Sequence, residues 1–300
     1  MGLSPFKGLS AFPITPTDAE GRLIEAEFAR LLERLVAAEV DSIAVLGSTG
    51  TYAYLSEAVR NRAVALAVEV IGGRVPVIAG ISALRTDAAV SFAKAAEGAD
   101  GVLLAPMSYT PLTPGEVERH VRTVADATAR PLCLYNNPST THFTFSRNLI
   151  ASLASHPHIA AVKMPLTDDP AAEIAALRGV TPDGFVVGYS GDWGCSAARM
   201  AGADCWFSVI GGILPDVALA LDHAARRGDA ASVARWEAAL APLWHLFRTH
   251  GSLRVVYAMA SLIGVSQTQP PLPILPLDAT VVAEVDAAMG HLGAADPALA

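Results

Sequence analysis

The stretch His158-Ile159-Ala160-Ala161-Val162-Lys163-Met164-Pro165 reads as a buried strand, continuously apolar and closed by a lysine. A strand without polar alternation is covered on both faces, as in a parallel sheet flanked by helices. The lysine is the anomaly. Lysine occurs only at Lys7, Lys94 and Lys163, and arginine carries nearly all the other positive charge. Lys7 lies in a terminal segment and Lys94 in a predicted helix. Arginine serves most surface roles of lysine but does not become an amine nucleophile. Lys163 is therefore a candidate Schiff-base former, and apolar surroundings favour the neutral amine such chemistry needs. The plainer reading is a stem packed on apolar surface with its head in water.

Outward from this stretch the same signature recurs. Short apolar runs at 9–12, 42–46, 75–80, 101–104, 131–135, 185–189 and 205–209 predict seven further strands. Between them lie amphipathic runs, among them 25–39 with Phe28, Leu31, Leu32, Leu35 and Val36 on one face. Ser56 is the expected cap of a helix stopped by Gly72-Gly73. Thr113-Pro114-Gly115-Glu116 has capping-box spacing with proline at the first helical position. Eight strand–helix units are the size of a TIM barrel. Beyond Gly228 the strands cease, and 231–250, 252–263 and 280–292 read as helices around a proline-rich break at 269–276. The expected fold is α/β: a TIM (β/α)8 barrel over residues 1–228 with a C-terminal helical region over 229–300, packed on the barrel or on a neighbouring subunit. A doubly wound sheet is the alternative, but no G-x-G-x-x-G follows the first strand.

Composition narrows the function. The 300 residues are 52% hydrophobic and 17% charged, with a net charge of -8 and a pI near 5.4. No basic stretch points to nucleic acid or an anionic membrane. Cys133, Cys195 and Cys205 are scattered without C-x-x-C spacing, which suggests neither disulfides nor zinc. The segment Met1-Gly2-Leu3-Ser4-Pro5-Phe6-Lys7 lacks the apolar run of a signal peptide, and no run reaches membrane-spanning length. A cytoplasmic protein is expected. His156-Pro157-His158, the one close histidine pair, precedes the sixth strand at the face opposite a barrel's active site and reads as a loop.

A barrel of this kind works at the C-terminal ends of its strands. Gly47-Ser48-Thr49-Gly50, Tyr135, Lys163 and Tyr189-Ser190-Gly191-Asp192 all fall there. Each has a bland reading alone, a turn or a packed ring. Together they outline a reaction. Lysine attack on a 2-oxo acid gives an imine that, once protonated, supports a carbanion at the next carbon. The backbone N–H groups and hydroxyls of Gly47, Ser48 and Thr49 form an anion nest for the substrate carboxylate. Tyr135, one strand away, is placed to shuttle protons.

These residues, in this order, resemble the dihydrodipicolinate synthase / N-acetylneuraminate lyase family of pyruvate-dependent class I aldolases. The likeness runs from Phe12-Pro13-Ile14-Thr15-Pro16 into the helical C-terminal region. Gly47-Ser48-Thr49-Gly50 is similar to the family's carboxylate-binding motif, and Pro76-Val77-Ile78-Ala79-Gly80 to its third strand. Tyr135-Asn136-Asn137-Pro138-Ser139 resembles its Y-N-x-P motif, Val162-Lys163 its Schiff-base strand and Ser190-Gly191-Asp192 its S-G-D. The resemblance implies a homotetramer or homodimer, pyruvate or another 2-oxo acid bound as an imine, and no metal or organic cofactor.

The chain also departs from its relatives. Thr140 stands where the synthase has the arginine for the second substrate's carboxylate, and Thr51 where the family has a glutamate. Met164 follows the lysine in place of another glutamate. The paired tyrosines after strand four read Met107-Ser108, so Ser108 replaces the tyrosine that relays protons through a neighbouring subunit, and Tyr109 is adjacent. These departures predict a carbon–carbon lyase or aldolase other than the lysine-biosynthetic synthase. The alternatives are a dehydratase of a 2-keto sugar acid and a barrel that binds 2-oxo acids without turnover. Ser108, Tyr109, Thr140, Tyr189, Phe207 and Ile210 are the side chains expected around the second substrate. They carry no positive charge, which favours an uncharged or hydroxylated partner over a dicarboxylate.

Overall fold

The computed structural model describes residues 4–294; residues 1–3, and 295–300 at the end of the helical region, lie outside the described residues. Eight parallel strands close into a barrel in chain order. They are β1 Gly8–Ala11, β2 Ser42–Val45, β3 Val77–Gly80, β4 Gly101–Leu104, β5 Leu132–Tyr135, β6 Ile159–Met164, β7 Val186–Tyr189 and β8 Cys205–Ser208. Closure is a parallel pairing of β8 with β1, from Gly8 opposite Cys205 to Ala11 opposite Ser208.

The helices around the barrel are α1 Glu25–Ala37, α2 Glu57–Ile71, α3 Thr86–Ala95, α4 Pro114–Asp126, α5 Pro138–Thr141, α6 Arg147–Ala154, α7 Pro170–Arg178, α8 Asp192–Met200 and α9 Pro215–Arg226. Their ends follow local chemistry. Ser56 Oγ accepts from the Val59 N–H to cap α2, and Gly72 ends it in the left-handed conformation. Both halves of the Thr113–Glu116 capping box form at α4. The stretch after β5 departs from the sequence reading. The loop expected after Tyr135 contains the single helical turn α5, with Pro138 at its first position.

Side chains from the strands divide between two apolar layers. Phe6, Phe12, Ala44, Ile78, Leu103, Cys133, Tyr135, Ala161, Val186, Cys205 and Phe207 fill the barrel interior. Ile43, Val45, Leu132, Leu134, Val162, Met164, Val187 and Tyr189 pack outward beneath the helices. On β6 the alternation breaks once. Leu132 of β5 lies opposite Ile159 but Cys133 lies opposite Ala161, so Ala160 is an extra residue. This bulge changes the phase of the strand: Ile159 faces outward, Ala161 faces the interior, and Lys163 follows Ala161 inward.

Three helices follow the barrel: α10 Ala230–His250, α11 Ser252–Leu262 and α12 Ala279–Gly290. α10 packs on α8 and α9, and α11 and α12 pack on α10. Trp236, Leu240, Trp244 and Phe247 bury its apolar side. A buried ion pair, Arg199 Nε to Asp222 Oδ1 at 2.6 Å, ties α8 to α9. Among the described residues no helix is long and apolar enough to cross a membrane.

Candidate active site

Lys163, next to last in β6, has its side chain in the barrel mouth and is 3% exposed. Its Nζ lies 4.0 Å from the centroid of the Phe12 ring, 4.1 Å from Tyr135 and 5.5 Å from Phe207. Phe12 and Phe207 meet edge to face and form a floor below the amine. Glycines make that floor possible. A Cβ on Gly47 would sit 2.5 Å from Phe12 Cδ1, and one on Gly188 would sit 2.6 Å from Phe207 Cε2.

Tyr135 is the register partner of Lys163 across β5 and β6. Its Oη accepts a hydrogen bond from Asn137 Nδ2 at 3.0 Å and lies 3.5 Å from Ser48 Oγ. With Asn137 donating to the phenol oxygen, the phenol proton is free to point at Ser48 or at a bound molecule. Ser139 Oγ donates to Asn137 Oδ1 and fixes the amide. Asn137 is a residue the sequence reading missed, and its signal was its place two positions beyond the tyrosine.

The Ser48-Thr49 turn is held between two strained residues. Leu46 and Thr51 both have left-handed backbones, with φ of 59° and 54°. Thr15 Oγ1 donates to the Gly50 carbonyl and pins the turn to the first loop. Ser48, Thr49 and Thr51 line the cavity, and Gly47 lies behind them, closed off by Phe12. Thr51 Oγ1 is buried without a hydrogen-bond partner among the described residues. Tyr52, also missed in the sequence, lines the same wall, and burial pushes its hydroxyl up to about 12.

The cavity above Lys163 is about 760 Å³. It gathers Ser48, Thr49, Tyr135, Thr140 and Lys163 from the sequence-derived set. Phe207 takes part from below as the floor. Other members lie elsewhere. Tyr189 follows Gly188 on β7 and faces outward under the helices, because Gly188 takes the inward position beside Lys163. Ser108 turns away to donate to the Thr110 carbonyl, and Met107 lines the cavity in its place. Tyr109 is 97% exposed. Ile210 is buried in the layer between strands and helices.

Asp192 is a brace. It accepts from Trp206 Nε1 at 2.7 Å and from the backbone N–H groups of Val209 and Ile210. Burial pushes its carboxyl up to about 6, against these donors, which favour the ionised form. Among the described residues no group of three or more His, Cys, Asp or Glu side chains is placed to hold a metal. His156 pairs with Asp126 at 3.0 Å, below the N-terminal end of β6.

With this geometry in place, comparison with known proteins adds the family. The sequence model of the dihydrodipicolinate synthetase family matches residues 5–292. The chain is 35% identical to a 4-hydroxy-tetrahydrodipicolinate synthase of Hyphomonas neptunium over 295 residues, 96% of this chain and 99% of that protein. Among solved structures it is similar to a dihydrodipicolinate synthase from Agrobacterium tumefaciens, with 52% identity, a TM-score of 0.94, and coverage of 96% of this chain and 98% of that one. A chloride-inhibited dihydrodipicolinate synthase from Acinetobacter baumannii, complexed with pyruvate, is 26% identical with a TM-score of 0.88, covering 96% of this chain and 99% of that one. The chain therefore belongs to the dihydrodipicolinate synthetase family and is a lyase of the class I aldolase type.

Proposed function

We propose that the protein makes or breaks a carbon–carbon bond through an imine between Lys163 and pyruvate or another 2-oxo acid. The observation that carries this reading is the buried Lys163 amine beside the Tyr135 ring, with Ser48 within reach of the phenol. The pyruvate-bound relative supports the substrate class. Lys163 Nζ attacks the keto carbon, and Tyr135 and Ser48 carry the protons that let water leave. The carboxylate lies against the hydroxyls and N–H groups of Ser48 and Thr49. The iminium then takes up the electron pair of the bond that breaks.

The reading includes an activity other than the lysine-biosynthetic synthase, although the relatives carry that name. Among the described residues lining the cavity Lys163 is the sole cation, and Thr140 offers a hydroxyl where an arginine would hold a second carboxylate. It also includes a cytoplasmic homotetramer or homodimer. The exposed Leu84 and Tyr109, on neighbouring loops at the barrel mouth, support a covered surface there. Light scattering during size exclusion tests the assembly.

Borohydride reduction in the presence of pyruvate, followed by intact mass and peptide mapping, tests the imine. One reduced adduct on Lys163 is expected. No adduct, or an adduct that survives Lys163→Ala, overturns the reading. Product analysis separates an aldolase, which releases pyruvate, from a dehydratase, which releases water.

A further inference from the structure

The cavity is far larger than a three-carbon acid fills, and its volume of about 760 Å³ suits a ligand of drug-like size. Its lining divides by chemistry. The imine pole is polar. Beyond the strand ends the lining includes Leu166, Phe247, Leu253 and Ile274, with Trp193 39% exposed. Leu166 is seated by two glycines: a Cβ on Gly194 would lie 2.7 Å from Leu166 Cδ1, and one on Gly191 would lie 2.9 Å from it.

Hydroxyls line part of the cavity, and four of them have their protons committed. Ser139 donates to Asn137 Oδ1, Thr140 and Thr141 donate to the Asn137 carbonyl, and Ser190 donates to the Met164 carbonyl. A polyhydroxylated partner would have to break these bonds to find donors at those four positions. A carboxylated partner finds no cation beyond Lys163 among the described lining residues. An apolar partner desolvates against Leu166, Phe247, Leu253 and Ile274, whose side chains carry no polar group.

Resting on the imine reading above, we propose that the second half of the substrate is an uncharged, apolar aldehyde, aryl or alkyl, seated on the Leu166–Leu253–Ile274 wall. In the cleavage direction the substrate is a 4-hydroxy-2-oxo acid held as the Lys163 iminium. A base takes the 4-hydroxyl proton, and the C3–C4 bond breaks. Its electron pair passes to the iminium nitrogen, and the apolar aldehyde leaves. The enamine gains a proton at C3, and water hydrolyses the imine to pyruvate, replacing the water lost when the imine formed.

The test is a panel assay of the full-length protein with pyruvate and one of benzaldehyde, hexanal, glyceraldehyde or succinic semialdehyde, alongside borohydride trapping of pyruvate alone. The expected result is a kcat/KM for benzaldehyde or hexanal at least about tenfold above the other two, the order of discrimination an apolar pocket supplies. In Leu253→Asn the benzaldehyde-to-glyceraldehyde ratio should fall about tenfold, a change that partial misfolding does not produce. A preference for glyceraldehyde or succinic semialdehyde overturns the proposal. So does a trapped pyruvate imine with no aldehyde turned over, or a ratio that Leu253→Asn does not move. Failure to trap any imine removes the underlying reading, and this inference with it.

Discussion

The two ends of the cavity are built differently. The imine end is made by the barrel itself: Phe12 after β1, Ser48 after β2, Tyr135 on β5, Lys163 on β6 and Phe207 on β8. The far end is made by connecting loops and by the helices beyond the barrel: Leu166 after β6, Trp193 on α8, Phe247 on α10, Leu253 on α11 and Ile274 in the segment before α12. Strand ends are fixed by a closed hydrogen-bonded ring, so reacting groups there hold their geometry. Loops and appended helices tolerate exchange, so substrate preference can change at the far end while the chemistry at the strand ends is kept.

Substitutions at the two ends should therefore fail in different ways. Lys163→Ala is expected to abolish the trapped adduct and to lower kcat by about 10⁴-fold or more, measured in the best aldehyde assay. Tyr135→Phe keeps the ring under Nζ but removes the proton carrier, and a kcat loss of about 10²–10⁴-fold is expected. A loss confined to KM in that variant would break the distinction between the ends, because it would make Tyr135 a binding group only. Leu253→Asn should act on aldehyde preference, about tenfold in the ratio.

A further effect concerns Asp192, which braces the end of β8. Asp192 has a folded pKa raised above its unfolded value, so between about pH 4 and 6 the folded state binds more protons than the unfolded chain. Stability from this group falls as pH rises through that window, by at most about 3 kcal/mol, and is level above it. Asp192→Asn should flatten the Tm-against-pH curve there by calorimetry. It also places an amide N–H₂ among N–H donors, which lowers Tm at pH 7.

How much of this was legible in the sequence follows the same division. The eight strands are apolar runs broken by helices, and each unit announces itself locally, as do the caps at Ser56 and Thr113. Lys163 stood out because lysine is scarce and its surroundings are apolar. The direction of side chains on continuously apolar strands was not legible, since no polar alternation marks a face. Tyr189 illustrates this: its neighbour Gly188 takes the inward place, and the register that decides it depends on the bulge at Ala160. The turn α5 was hidden in a segment of Pro, Ser and Thr that is too short for periodicity to declare it. The far wall was hidden for another reason. Phe247 and Leu253 read as ordinary core positions of amphipathic helices, and Ile274 lies in the proline-rich break. Only tertiary packing carries them to a lysine more than eighty residues away.

The most direct test of the divided cavity is a structure of the protein soaked with pyruvate. Continuous density from Lys163 Nζ to the keto carbon is predicted, with the carboxylate on Ser48 and Thr49 and the methyl carbon turned toward Leu166, Leu253 and Ile274. Pyruvate bound without a covalent link, or with its carboxylate against that apolar wall, would contradict the account.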